Sequence, residues 1–200
     1  ADERTLDPKS RRLDLSGEWK VKITAPLPLA PWEKPLADPG ISVLARQAVD
    51  PKFNDSAWDS FDLPAWYPPF EKQSGEAVWR KSVTIPPEWD GQILQISLGP
   101  VKTYDTTYLN GKEIGSTGSS VKDAWKHPRR YRIPANAVRG GNAVIAVREF
   151  VTDFQGGLHG RPQEMFLRPV AAESKSQDLY HADYREEFDF GDNPHRYYRW

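Results

Sequence analysis

The chain has 200 residues, 27 Lys and Arg against 28 Asp and Glu, a formal net charge of -1 and no Cys. That balance offers no electrostatic case for nucleic acid, and the missing thiols exclude thiolate catalysis, disulfides and Cys-ligated zinc. No apolar run reaches membrane-spanning length, and the size suits one domain with its own core, extended at its ends.

Residues 1–12, ADERTLDPKSRR, form a polar leader that begins at Ala1. Such a start fits an exported protein after signal removal, so a secreted or periplasmic location is expected, or else a trimmed chain. GEWKVKIT (Gly17 to Thr24) alternates and predicts a strand. The Pro-rich APLPLAPWEKPLADPG that follows fits neither a helix nor a central strand. ISVLARQAV reads equally as short helix or strand, and FNDSAWDSFDLP as a capped helical turn with an extended exit. EAVWRKSVTIP places Trp79, Val83 and Ile85 on one face and Arg80, Ser82 and Thr84 on the other. GQILQISLGP puts Leu94, Ile96 and Leu98 on one side. TYDTTYLNGKEIGS predicts a hairpin whose Asn110-Gly111 pair is a type I′ turn signal. RRYRIP is a short strand, ANAVRGGN a helical turn, NAVIAVREFV a long buried strand, FQGGLHGRP a loop and QEMFLRP the closing strand.

Turn signals recur at roughly 8–12-residue intervals, and no long segment has helical periodicity. The expected fold is therefore an all-β, antiparallel β-sandwich over residues 13–169. After Pro169, residues 170–200 start as a small polar linker and end in YHADYREEFDFGDNPHRYYRW. The rings in that tail, Phe188, Phe190, Tyr198 and Trp200 among them, predict docking on the sandwich, in a homodimer or on a partner protein.

Eight Trp, eight Tyr and eight Phe supply either core filler or flat faces for stacking on sugars. Trp125, His127 and Arg130 in DAWKHPRRY combine a ring with donors suited to saccharide hydroxyls or a carboxylate; core-edge packing and solvated arginines explain them equally well. Asp105 on the hairpin is a further ligand-binding candidate, but its position on a strand face favours an ion pair with Arg148 or another arginine. Glu149 and Asp153 are close in sequence, and a solvated strand end accounts for them better than a glycosidase pair. The histidines show no H-x-x-x-H or H-E-x-x-H spacing, so no transition-metal cofactor is expected; a structural calcium on carbonyls and one carboxylate would leave no signature.

The order LSGEWKV, FNDSAWDSFDLPAWY, VWRKSVTIPPEWDGQILQISLGPVKTYDTTYLNGKEIGST, RRYRIPANAVRGGNAVIAVR and QGGLHGRPQEMFL carries a resemblance. It is similar to the sugar-binding, galactose-binding-like jelly roll at the N-terminus of family-2 glycoside hydrolases of the β-galactosidase and β-glucuronidase type. LGPVKTYDTTYLNGKEIGST also resembles the same domain in bacterial sialate O-acetylesterases. The resemblance implies an accessory sandwich whose catalytic residues belong to another domain. The family's barrel does not fit in this length, and neither a GQSN-type block nor a G-x-S-x-G elbow occurs. It also implies that the segment before the closing strand faces the ligand, which adds Asp153, Gln155 and His159 to the candidates. The expected function is a non-catalytic carbohydrate-binding accessory module. A structural or assembly module and a small glycoside or acetyl-ester hydrolase remain as alternatives.

Overall fold

The computed structural model describes residues 11–170, and the chain divides into two units after Pro169. Most of the leader and the aromatic tail with its expected docking therefore lie outside the described residues. In chain order the elements are β1 (Leu13–Asp14), β2 (Gly17–Pro28), α1 (Val43–Ala48), β3 (Asp59–Leu63), β4 (Gln73–Ile85) and β5 (Leu94–Lys102). They continue with β6 (Tyr104–Leu109), β7 (Lys112–Thr117), β8 (Pro128–Ile133), β9 (Gly141–Val151), β10 (Gly157–Leu158) and β11 (Met165–Pro169). A six-stranded sheet runs β3-β2-β4-β9-β6-β7; a five-stranded sheet runs β1-β11-β5-β10 with β8 also on β5. All pairings among the described residues are antiparallel, and the architecture is the expected all-β sandwich.

Period-2 alternation builds the core. On β4, Trp79, Val83 and Ile85 turn inward; on β5, Leu94, Ile96 and Leu98 are fully buried. Trp19, Phe70, Ile145 and Leu167 complete the layer between the sheets. Trp79 meets Tyr67 edge-on at 5.1 Å between ring centroids and Phe61 at 6.1 Å. The hairpin forms as its turn signal predicts, with Asn110 at φ 49 and Gly111 at φ 79. Gly115 on β7 has a different role: a Cβ there would sit 2.2 Å from the Tyr131 ring, which reaches across from β8.

Three segments differ from the sequence expectation. Pro26 and Pro28 belong to β2 and pair with Gly75 and Gln73 on β4. They are tolerated because β3 pairs only with Gly17 to Val21, which leaves this half of β2 as a sheet edge where a missing N–H faces no partner. The undecided ISVLARQAV is helix: Ser42 caps α1 by accepting from the Ala45 N–H at 3.1 Å. The FQGGLHGRP loop contains β10, which pairs with Val101 and Lys102.

The long connection between β2 and β3 covers part of the outer face of the six-stranded sheet. Ala45 and Ala48 bury Val78 there, with Ile41, Phe53 and Trp58 packed around them. Two arginines on that face hold the connection down. Arg80 donates to Asp55 at 2.7 Å, to the Asp50 carbonyl at 2.9 Å and to the carbonyls of Ala48 and Phe53. Arg148 donates to both oxygens of Asp38 at 2.6 and 2.7 Å, to the Gly40 carbonyl at 2.8 Å and to Glu76 at 2.6 Å. The open edges of this sheet are β3 and β7. Among the described residues no helix is long and apolar enough to cross a membrane.

Candidate functional site

One end of the sandwich is closed by two irregular segments that lie against each other. The Ala65 and Tyr67 N–H groups donate to the carbonyls of Leu158 and Gly156, each at 2.7 Å, and the Gln155 N–H donates to the Phe70 carbonyl at 3.0 Å. Only glycine fits the contact: a Cβ on Gly156 would approach Phe70 to 2.4 Å, and one on Gly157 would approach the Ala65 carbonyl to 2.4 Å. Alternation then buries Tyr67 and turns Trp66 outward, 41% exposed.

The exposed indole has a rigid backing. His159 stacks under Trp66 with centroids 3.9 Å apart and planes 9° from parallel. Its Nε2 lies 3.0 Å from the Trp125 carbonyl, an acceptor, so Nε2 carries the proton. Burial pushes the imidazole down to about 4, with the Arg129 and Lys102 charges adding to that and the bond to Trp125 opposing it. His159 is thus neutral at ordinary pH and joins the 64–67, 124–127 and 156–159 segments around one ring. Trp125 is half-buried, with the Lys126 ammonium 4.9 Å over its ring.

Beside this platform Lys102 pairs with Asp153, donates to the Phe154 carbonyl at 2.9 Å and lies 4.7 Å over the Phe154 ring. Thr103 and Thr152 share a hydroxyl hydrogen bond of 3.0 Å, and the Leu36 N–H reaches the Thr152 carbonyl at 2.7 Å. The preceding stretch of that connection carries two more exposed apolar side chains, Leu29 at 45% and Trp32 at 67%.

The residues singled out from sequence separate into groups. His159 lies in the platform, and Trp125 reaches it through its backbone carbonyl. Asp153 is engaged by Lys102, and Gln155, half-buried at φ 58, contributes its backbone to the loop contact. The His127 carbonyl accepts from Arg129, and burial lowers the proton affinity of its imidazole. Arg130 follows Arg129 on β8 and so faces the other side of its sheet.

Asp105 lies in the interior. It accepts from Arg129 Nε at 2.6 Å, from the Tyr131 hydroxyl at 2.9 and 3.0 Å and from Thr107 at 3.0 Å. Arg129 is fully buried and spends its other donors on the carbonyls of Val101, Thr103, Ala124 and His127. The partner expected first, Arg148, lies on the opposite face, because its cross-strand neighbour is Thr106. Burial pushes the Asp105 carboxyl up from its ordinary value, against the pull of Arg129 and the hydroxyls.

Asp105 is paired across the ladder with Glu149, also fully buried. Glu149 accepts from Trp79 Nε1 at 2.6 Å and from the Gly157 N–H. Burial raises its carboxyl to about 7 despite those two donors. Glu149 and Asp153 therefore do not face a common cleft: one is inside the sandwich and the other is bound to Lys102. Among the described residues no three His, Cys, Asp or Glu side chains gather as metal ligands.

Sequence reasoning missed Trp66, Lys102 and Trp32. For Trp66 a signal existed, a tryptophan in LPAWYPPF, where flanking prolines forbid regular structure and make an outward ring affordable only as a loop feature.

No family model matches the sequence, and no curated protein matches it. Solved structures do match the fold. Bacteroides uniformis β-glucuronidase 2, covalently bound to cyclophellitol-6-carboxylate aziridine, superposes with a TM-score of 0.57 at 19% identity, over 78% of this chain and 17% of that one. A glycosyl hydrolase family 2 member from Bacteroides cellulosilyticus gives 0.56 at 16% identity, over 79% and 20%. A Bacteroides vulgatus β-glycosidase gives 0.52 at 18% identity, over 78% and 20%. At these identities the likeness is one of fold, and the chain spans about a fifth or less of the length of each.

Proposed function

We propose that this chain is a non-catalytic carbohydrate-binding accessory module related to family-2 glycoside hydrolases, with its ligand face at the Trp66–His159–Trp125 end. The observation that carries the reading is the outward indole of Trp66 backed by a parallel-stacked, neutral imidazole. Such a flat apolar face suits the C–H face of a pyranose, and its rigidity lowers the ordering cost of binding. The sandwich likeness to a minor part of several glycosidases supports the accessory role. Catalysis by Glu149 and Asp153 is disfavoured by their placement, since a glycosidase needs both carboxyls beside one bond.

The test is a glycan array probed with the whole chain, repeated with Trp66→Ala. Saturable glycan binding that weakens at least tenfold in the variant, with an unchanged melting temperature, supports the reading. Binding that ignores Trp66→Ala, or no binding to any glycan, overturns it. A second reading, an assembly module, is favoured by Leu29 and Trp32: exposed apolar side chains on one stretch suit coverage by a protein partner. Its test is whether Trp32→Ser abolishes an oligomer or a complex that Trp66→Ala leaves intact.

A further inference from the structure

Away from the aromatic platform, the outer face of the six-stranded sheet holds a preformed hollow of about 420 Å³. Its floor is the central pair β4 and β9, where Ser82 lies opposite Val144 and Thr84 opposite Asn142. Pro51 forms one wall and the Asn110 turn another. The hollow begins where the covering connection stops: Arg80, the last residue of β4 bolted to that connection, holds the Asp50 carbonyl at 2.9 Å and so fixes the residue before Pro51. The turn is fixed as well. Asn110 accepts from the Val144 N–H at 2.8 Å, and a Cβ on Gly111 would lie 3.2 Å from Pro51.

The chemistry of the lining is selective. No charged and no aromatic side chain contributes to it. Ser82, Thr84 and Asn142 are exposed, and the Thr84 hydroxyl reaches Asn142 Oδ1 only at 3.5 Å, so hydroxyl and amide groups remain open to a ligand. On an antiparallel pair these side chains form a grid of about 5 Å across the strands and about 7 Å along them, the scale of one sugar ring. Over this stretch β4 and β9 pair with each other alone, since β2 stops at Arg80 and β6 at Ile145, so the choice of a saccharide over a peptide rests on the small hydroxyl and amide lining. The groove is eight or so residues along β4 from Gly75, which lies opposite Val151 at the platform end, roughly 25 Å away.

From this geometry we propose a second binding site, for an uncharged saccharide unit held by hydroxyl and amide hydrogen bonds rather than by ring stacking. It goes beyond the proposed function, because neither site shares a residue with the other.

The experiment titrates the whole ¹⁵N-labelled chain with cellotetraose, mannotetraose, xylotetraose and galactotetraose, with tetragalacturonate and tetra-alanine as charged and peptide probes. The expected result is a saturable shift of the Asn110 and Asn142 side-chain amides and the Val144 backbone amide with at least one neutral sugar. Ser82→Arg, which fills the hollow from an exposed position, should weaken that response at least tenfold at unchanged melting temperature, and Trp66→Ala should leave it intact. Silence of the groove signals with all four neutral sugars, or a response confined to tetragalacturonate or tetra-alanine, overturns the proposal. The Trp66 and Trp125 indole signals report the platform separately, so either site can fail without the other.

Discussion

Buried arginine does two different jobs on the two sides of the six-stranded sheet. Between the sheets, Arg129 and Asp105 are both sealed from water, and the guanidinium ties β6, β8 and the end of β5 through side-chain and carbonyl bonds. On the outer face, Arg148 is nearly as buried and donates to the buried Glu76 on β4, but its other partner Asp38 remains a quarter exposed and the remaining bonds go to a covering loop. The carboxylates record the difference. Asp105 is pushed up because desolvation outweighs its donors. For Glu76, burial works upward too, yet Ser42, Thr24 and Arg148 outweigh it and hold the carboxyl below its ordinary range. Asp38 behaves in the same way. Identical chemistry thus organises the core where water is absent and fastens a lid where water is near.

The sharpest way to break this comparison is Arg129→Met. It leaves Asp105 and four carbonyls without their donor, and a cost of ~3–5 kcal/mol is expected. Chemical denaturation measures it, and pairing the change with Asp105→Leu should recover a large part of the loss. No recovery in the double variant would mean that the carbonyl bonds, not the ion pair, matter.

Next in size is a pair of opposed pH effects. Glu149 has its folded value raised to about 7, so its contribution is full below its unfolded value of 4.5 and is lost as pH rises through 7, worth ~3 kcal/mol. His159 has its folded value lowered to about 4, so its contribution is present above 6.5 and lost as pH falls toward 4, also ~3 kcal/mol. The two nearly cancel between pH 4.5 and 6.5, and His127, shifted in the same direction as His159, adds to the latter. Glu149→Gln should therefore gain stability as pH rises across that window, and His159→Phe should lose it. Melting curves of the two variants that run parallel would refute the assignment.

The smallest effect belongs to the outer clamp. Arg148→Ala removes its bonds to Asp38, Gly40 and Glu76, at a cost of ~1.5–3 kcal/mol. Hydrogen exchange should accelerate in residues 36–42 with little change in β5 and β8. Uniform acceleration across both sheets would place Arg148 with the core rather than with the lid.

How much of this could be read beforehand depended on range. Alternation in EAVWRKSVTIP and GQILQISLGP, and the Asn110-Gly111 signal, are local, and the strands and hairpin formed where those patterns lie. Pro26 and Pro28 misled because an edge is defined by where another strand stops, a fact about β3. The partner of Asp105 was hidden in the same way. Arg129 and Arg148 are chemically equal in the sequence, and only the register of β6 on β9 puts Arg148 beside Thr106 instead. The platform depends on two glycines letting one loop lie on another, which leaves no periodic trace. Trp66 became visible only when His159 was found beneath it.

The two open edges of the six-stranded sheet have a consequence for how the molecule behaves in a crowd. β3 reads DSFDL, with Asp59 and Asp62 exposed, and β7 opens with exposed Lys112 and Glu113. Charges at these positions discourage a neighbouring chain from zipping onto unpaired backbone, and the shortness of both strands limits the template they offer. The sandwich is thereby steered away from edge-to-edge aggregation, even though its centre is rich in the apolar strands that drive it.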